Sequence, residues 1–372
     1  MKIGIGALAT SKNAGVRQSG IHRYAIQLIE HLADALGDDQ AVVYAGNTSI
    51  ETKNSSISVR KTPVPVEHPA VRVAWESLVL PLKARQDKID LYHGLAFTVP
   101  EAVRIPSVVT IHDLAFLRWP EQVPDQRSRY LSRAVRAAVT RATRVIAVSD
   151  HTKHDVMDLL GVPEDRIDVT PLGVDPSMRP AGAAAIKTFR ERQGLANPYI
   201  LAVGNLEPRK NLAALVRAFA LVADCVPHYL VLVGAEGWRT EELHLSLDNP
   251  EIRDRVRLQG FVAPAELPLW YSSCEFFVIP SHYEGFGLSL LEALACGAPA
   301  ISSNRASLPE VGGDAALLVD PEIEPLAAAL KIMAENQDFR SLLSSKGPVQ
   351  AANFTWQRTA ELTVESYRKA VS

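Results

Sequence analysis

Short apolar runs rich in β-branched residues alternate along the chain with longer stretches whose apolar positions recur every three or four residues. The first kind reads as buried strands and the second as amphipathic helices. Strands are predicted at 2–8, 41–44, 58–60, 91–93, 107–111, 144–148 and 168–171, with helices at 20–36, 71–84, 126–142 and 151–160. The pattern then begins again. Strands are predicted at 199–203, 229–233, 256–259, 276–279, 300–302 and 316–319, with helices at 211–222, 288–296 and 323–334. Strand and helix in steady alternation imply an α/β fold, parallel sheet with helices on both faces.

Two such sets imply two Rossmann-like domains, because 372 residues exceed what one ordinary core holds. The proline- and glycine-punctuated run from Pro176 to Gly182 suits a linker. Domains are therefore expected at 1–178 and 179–355. A last helix over 356–372, with Ala360, Leu362, Val364, Tyr367 and Val371 at helical spacing, has no strand after it and is expected to pack back on the N-terminal domain. Two such domains facing across a cleft would bind ligands beyond the carboxyl ends of their strands.

Composition narrows the class. A content of 47% hydrophobic and 22% charged residues excludes a disordered or fibrous chain, and a net charge of -3 exerts no global pull on nucleic acid. Cys225, Cys274 and Cys296 are odd in number and lack CxxC spacing, so they read as buried free thiols in a reducing compartment. The chain opens directly on a strand, and no run approaches 18 apolar residues. A cytoplasmic protein is expected, with room for a peripheral contact on the inner face of the membrane. The candidate for that contact is the run Arg127, Arg129, Arg133, Arg136, Arg141 and Arg144, which holds no acid from 126 to 144. A basic amphipathic helix there could rest on anionic lipid, or simply pack by its apolar face.

Four constellations carry chemistry. In the run from Ser281 to Gly297, a buried strand ends at Pro280, a Gly285-x-Gly287 turn follows, and a helix begins near Leu288. The glycines let backbone approach a ligand, the helix N-terminus favours anions, and Glu284 and Glu292 can each grip vicinal hydroxyls. The second is Gly204 to Asn211. Arg209 and Lys210 at a helix start oppose the helix dipole, so an anion is expected to offset them, and a diphosphate fits. The third is the loop between Gly15 and Gly20, which lacks the dinucleotide-binding fingerprint and argues against NAD. The fourth is His112-Asp113 after a strand, where the imidazole could bond a sugar hydroxyl, shuttle a proton or serve structure alone. Zinc-ligand spacing is absent among the cysteines and histidines.

These residues resemble the retaining GT-B glycosyltransferases of glycosyltransferase family four, also called glycosyl transferases group one. The resemblance spans nearly the whole chain. It is most specific at Glu284-x7-Glu292 and at Gly204-x4-Arg209-Lys210-Asn211, and in the first half at Ser19-Gly20-Ile21-His22, Ile111-His112-Asp113-Leu114 and Val148-Ser149-Asp150. It is closest to the mannosyltransferase-like subgroup that builds surface polysaccharides.

The resemblance implies a hexosyltransferase taking mannose from GDP-mannose to a saccharide or lipid-linked acceptor, with retention and without metal. Arg209 and Lys210 would hold the diphosphate, and Glu292 the ribose. Glu284 with Gly285, Phe286, Gly287 and Leu288 would hold the sugar. Gly204 and Asn205 would line the donor, Phe261 and Val262 would face the base, Gly20 would approach the phosphates, and His112 would touch the sugar. His22, where many relatives carry glycine, and Ser149 fall on the acceptor side. A GT-B sugar-nucleotide epimerase and a non-catalytic nucleotide-sugar-binding protein are the alternatives.

Overall fold

The computed structural model describes residues 1–8, 20–46, 50, 54–66 and 68–372. The loop from Gly15 to Ser19 lies outside the described residues. The chain divides into two units, one comprising Met1–Gly173 with Thr355–Ser372 and the other Val174–Phe354. The chain therefore passes from one unit to the other at 173/174 and returns at 354/355, where the sequence pattern suggested 178/179 and 355/356.

The first unit holds a parallel sheet of β1 (Lys2–Ala7), β2 (Gln40–Ala45), β3 (Ile57–Lys61), β4 (Leu91–Gly94), β5 (Ser107–Ile111), β6 (Arg144–Ala147) and β7 (Ile167–Val169), in the order β3-β2-β1-β4-β5-β6-β7. The second holds β8 (Tyr199–Val203), β9 (Tyr229–Val233), β10 (Val256–Gly260), β11 (Phe276–Ile279), β12 (Ala300–Ser303) and β13 (Ala316–Val319), in the order β10-β9-β8-β11-β12-β13. In each sheet the order reverses beside the first strand of the set. Such a switch point opens a crevice at the carboxyl ends of the strands.

Burial explains why these runs are strands. All residues of β5, β11 and β12 are buried, as parallel strands covered on both faces must be. In the second unit Ile200, Ala202, Leu215, Phe219, Leu230, Leu232, Phe276 and Val278 form one continuous apolar core. The C-terminal helix Trp356–Val371 buries Trp356, Ala360, Val364 and Tyr367 and packs against the helix Gly20–Ala35 of the first unit.

The structure departs from the sequence pattern in three places. The expected helix over 71–84 is two helices, Pro69–Leu78 and Leu80–Asp87. Pro81 falls in the first turn of the second, where its missing N–H is harmless, whereas inside one long helix it would remove a bond and clash. The helix Ala183–Gln193, absent from the predicted elements, follows the expected linker and belongs to the second unit, with Phe189 edge-on to Trp270 at 5.0 Å. Finally, all three cysteines are free, but Cys225 is exposed rather than buried.

Candidate active site

β11 is apolar throughout and ends at Pro280, which stops the ladder and sends the chain into a loop with Ser281, Glu284 and Gly287. Gly287 takes φ 104°, and a Cβ there would come within 2.7 Å of Leu308 Cδ2. Glycine is required on both counts. The helix Leu288–Ala295 starts from it.

The second contributing segment follows β8. Pro208–Lys210 forms a single 3-10 turn, Asn211 turns left-handed at φ 56°, and the helix begins only at Leu212. Arg209 and Lys210 therefore precede the helix rather than open it. Asn211 tolerates the left-handed region and uses its amide to donate to Pro280 O at 3.2 Å and Pro321 O at 2.7 Å. That amide fastens the turn to the loops after β11 and β13.

Glu284 is the centre of the arrangement. Lys210 Nζ donates to its Oε1 at 2.5 Å, Ser281 Oγ to the same oxygen at 2.8 Å, and Arg209 Nη1 to its Oε2 at 3.0 Å. Arg209 also bonds Glu207 Oε2 at 3.0 Å through Nε and Tyr283 O at 3.1 Å through Nη1. The stem of Lys210 lies against Gly204, whose absent Cβ would stand 3.3 Å from Lys210 Cε. Burial alone would raise the Glu284 pKa. The charges of Lys210 and Arg209, with hydrogen bonds from Lys210 and Ser281, outweigh it and lower the carboxyl to about 2. The anion that the sequence demanded beside the basic pair is thus supplied in part by the protein, as Glu284 and Glu207. Two cations and two carboxylates give a preorganised cluster in which Arg209 and Lys210 hold fixed positions.

Glu292, also buried, accepts a hydrogen bond from Tyr271 OH at 3.1 Å. The carboxyl ends of β8, β9 and β10 are held in step, because Gly204 N donates to Val233 O and Gly234 N to Gly260 O, both at 2.9 Å. Asn205 is exposed beyond β8. After β10, Phe261 is exposed and Val262 buried.

Gly20, His22, His112 and Ser149 lie in the first unit. Gly20 is the exposed first residue of its helix, and His22 is half-buried on the same helix, its pKa lowered by burial. Ser149 is buried as a helix N-cap, its Oγ accepting from Thr152 N at 3.0 Å. His112 is buried, with Nε2 2.8 Å from Leu95 O and Tyr24 edge-on at a ring separation of 4.7 Å. A carbonyl only accepts, so Nε2 carries the proton and Nδ1 is left an acceptor. Burial lowers the His112 pKa to about 4, more than the Leu95 bond and Asp113 raise it. The lowered pKa favours the neutral imidazole at this position.

Sequence reasoning named Ser281 at the head of its run without giving it a role, and passed over Tyr271. Small hydroxyl residues and a core tyrosine carry no spacing signal of their own; only Ser281, three residues before Glu284, stood close enough in sequence to be noticed.

With this geometry in hand, comparison with known proteins identifies the family. Residues 18–178 match the Glycosyltransferase Family 4 model and residues 186–349 the model for glycosyl transferases group 1. An O-antigen chain mannosyltransferase B of Escherichia coli is 30% identical, over 94% of this chain and 96% of that protein. The chain belongs to glycosyltransferase family 4. Among solved structures, this glycosyltransferase is similar to a sucrose-phosphate synthase from Thermosynechococcus elongatus (TM-score 0.79, 20% identity, 99% of this chain and 98% of the other). It is also similar to Anabaena HepE in complex with UDP-glucose (TM-score 0.75, 20% identity, 99% and 100%). At that identity the likeness establishes the GT-B fold and nothing narrower.

Proposed function

We propose that this glycosyltransferase moves mannose from GDP-mannose to a saccharide or lipid-linked acceptor in surface polysaccharide synthesis, with retention at the anomeric carbon. The observation that carries the reading is the clasp of Glu284 by Lys210, Arg209 and Ser281 at the carboxyl ends of a parallel sheet. It sets two cations beside a turn with glycines at 285 and 287. The choice of mannose rests on the Escherichia coli relative, whose name states that sugar. A nucleotide sugar as donor is in keeping with the UDP-glucose held by HepE.

In the proposed reaction the bond from the anomeric carbon to the diphosphate breaks, and its electron pair leaves with the phosphate oxygen. The acceptor hydroxyl attacks the same face, and its proton passes to that departing oxygen. Arg209 and Lys210 bear the growing phosphate charge, so the reaction needs no metal. Glu284 and the 285–288 backbone hold the sugar, Glu292 the ribose, and Gly204, Asn205, Phe261 and Val262 the rest of the donor. Gly20, His112, His22 and Ser149 of the first unit keep the parts that the family resemblance gives them.

We place the enzyme in the cytoplasm, at the inner face of the membrane. Arg127, Arg129, Arg133, Arg136 and Arg141 are exposed on the helix Asp125–Arg141, with exposed Tyr130 among them. Such a surface suits anionic lipid. No helix among the described residues is long and apolar enough to cross a membrane.

The test is a thermal-shift and hydrolysis screen with GDP-mannose, UDP-glucose, UDP-N-acetylglucosamine and dTDP-rhamnose, each with and without EDTA. GDP-mannose should stabilise the fold and be hydrolysed slowly despite EDTA. Stabilisation by none of the four would overturn the donor reading, and loss of hydrolysis in EDTA would overturn metal independence.

A further inference from the structure

Ser307 is fully buried between β12 and the short helix Leu308–Gly312, and it stands at the N-cap of that helix. A serine there ordinarily turns its hydroxyl onto an amide of the first helical turn. Ser307 makes no such side-chain bond. Its Oγ lies instead 2.8 Å from Glu284 O and 2.9 Å from Phe286 O. The approach to it is built: Ser303 Oγ accepts from Arg305 N at 3.1 Å, and Ala306 is left-handed at φ 52°. A left-handed alanine is disfavoured, so the surrounding contacts hold it there.

Those two carbonyls belong to the peptide units that carry the N–H groups of Gly285 and Gly287. Both peptides are trans, since no cis bond occurs among the described residues. In a planar trans peptide the N–H points opposite to the C=O. The one hydroxyl proton of Ser307 serves the two carbonyls in turn or as a shared bond, which keeps both carbonyls on its own side and turns the N–H groups of the same peptides to the other. Leu308, also buried, packs close to Gly287 as a second part of the brace.

We infer that Ser307 is a positioning residue for the sugar half of the donor: its hydroxyl sets the planes of the peptides before Gly285 and Gly287, and through the second it aims the Gly287 amide. The inference rests on the proposed reading of residues 284–287 as the sugar-binding turn. It makes sugar recognition separable from nucleotide recognition, because the diphosphate and ribose are assigned to Arg209, Lys210 and Glu292, which Ser307 does not touch. Affinity for the sugar nucleotide then depends on Ser307, and affinity for the bare nucleotide does not.

The experiment is calorimetric titration of wild type, Ser307→Ala and Glu284→Gln with GDP, GDP-mannose, UDP and UDP-glucose, each nucleotide compared with its own sugar form. In Ser307→Ala the dissociation constant for the preferred sugar nucleotide should rise about tenfold, as for one lost set of aimed hydrogen bonds. That for the matching nucleotide should stay within about twofold, which also shows that the variant is folded. Equal losses for both ligands, or no loss for either, would overturn the inference and leave Ser307 a brace of the fold. A wild type that separates no nucleotide from its sugar form, with Glu284→Gln behaving alike, brings down the sugar-turn reading itself and the inference with it.

Discussion

Tyr367 OH and His93 Nδ1 stand 2.7 Å apart although 274 residues separate them. The bond joins the C-terminal helix to β4, and a chain of contacts continues from it. His93 Nε2 lies 2.8 Å from Thr110 Oγ1, which lies 2.9 Å from Tyr24 OH, and Tyr24 packs edge-on against His112. Every member is buried. A buried polar chain of this kind stabilises only while each group keeps its partner. Tyr367→Phe would leave His93 Nδ1 without its partner and cost about 1–3 kcal/mol, read as a lower denaturant midpoint at unchanged slope.

His93 and His112 also fix the sign of a pH dependence. Burial, more than anything else, lowers their pKa values to about 3 and about 4 from an ordinary 6.5. The folded protein therefore binds fewer protons than the unfolded chain at pH values between these limits. Their contribution to stability is full above pH 6.5 and declines as pH falls toward 4 and then 3. Urea unfolding at pH 7.5, 6, 5 and 4 should show that decline, and His93→Asn should make it shallower below pH 6.

Glu284 acts over a more acidic window. Its carboxyl is lowered to about 2 from 4.5, so its stabilisation is complete above pH 4.5 and is lost as pH falls to 2. The shift corresponds to a contribution on the order of 3 kcal/mol. Glu284→Gln should be less stable than wild type at pH 7, with the difference closing by pH 2.

Lys210 offers the sharpest activity test. Lys210→Ala removes a cation held 2.5 Å from Glu284 and should lower turnover by about two decades or more. Turnover within threefold of wild type, by product formation at saturating donor, would remove Lys210 from the charge-bearing role.

Tyr271 bonds the carboxylate assigned to the ribose. Tyr271→Phe should raise the donor KM about three- to tenfold with little change in kcat, since uniform binding is what is lost. It should also reduce the preference for a ribonucleotide over its 2′-deoxy form. A fall in kcat at constant KM would contradict the assignment.

The alternating pattern of apolar runs made the two sheets legible before any coordinates, because each parallel strand must bury both faces and so announces itself as a short β-branched run. Glycines at 285 and 287 and the basic pair at 209 and 210 were legible for a similar reason: backbone approach and charge placement are local demands that leave local marks. What pairs with what was not. Glu284 meets Lys210 across 74 residues of sequence and Tyr271 meets Glu292 across 21, and hydroxyl residues such as Ser281 and Ser307 look alike until the fold gives them neighbours. Sequence argued that the basic pair needed an anion. Glu207, two residues before Arg209, is a local partner; only the packing of β8 beside β11 decided that Glu284 would supply the other anion, because the chain fixes that distance only once its strands are side by side.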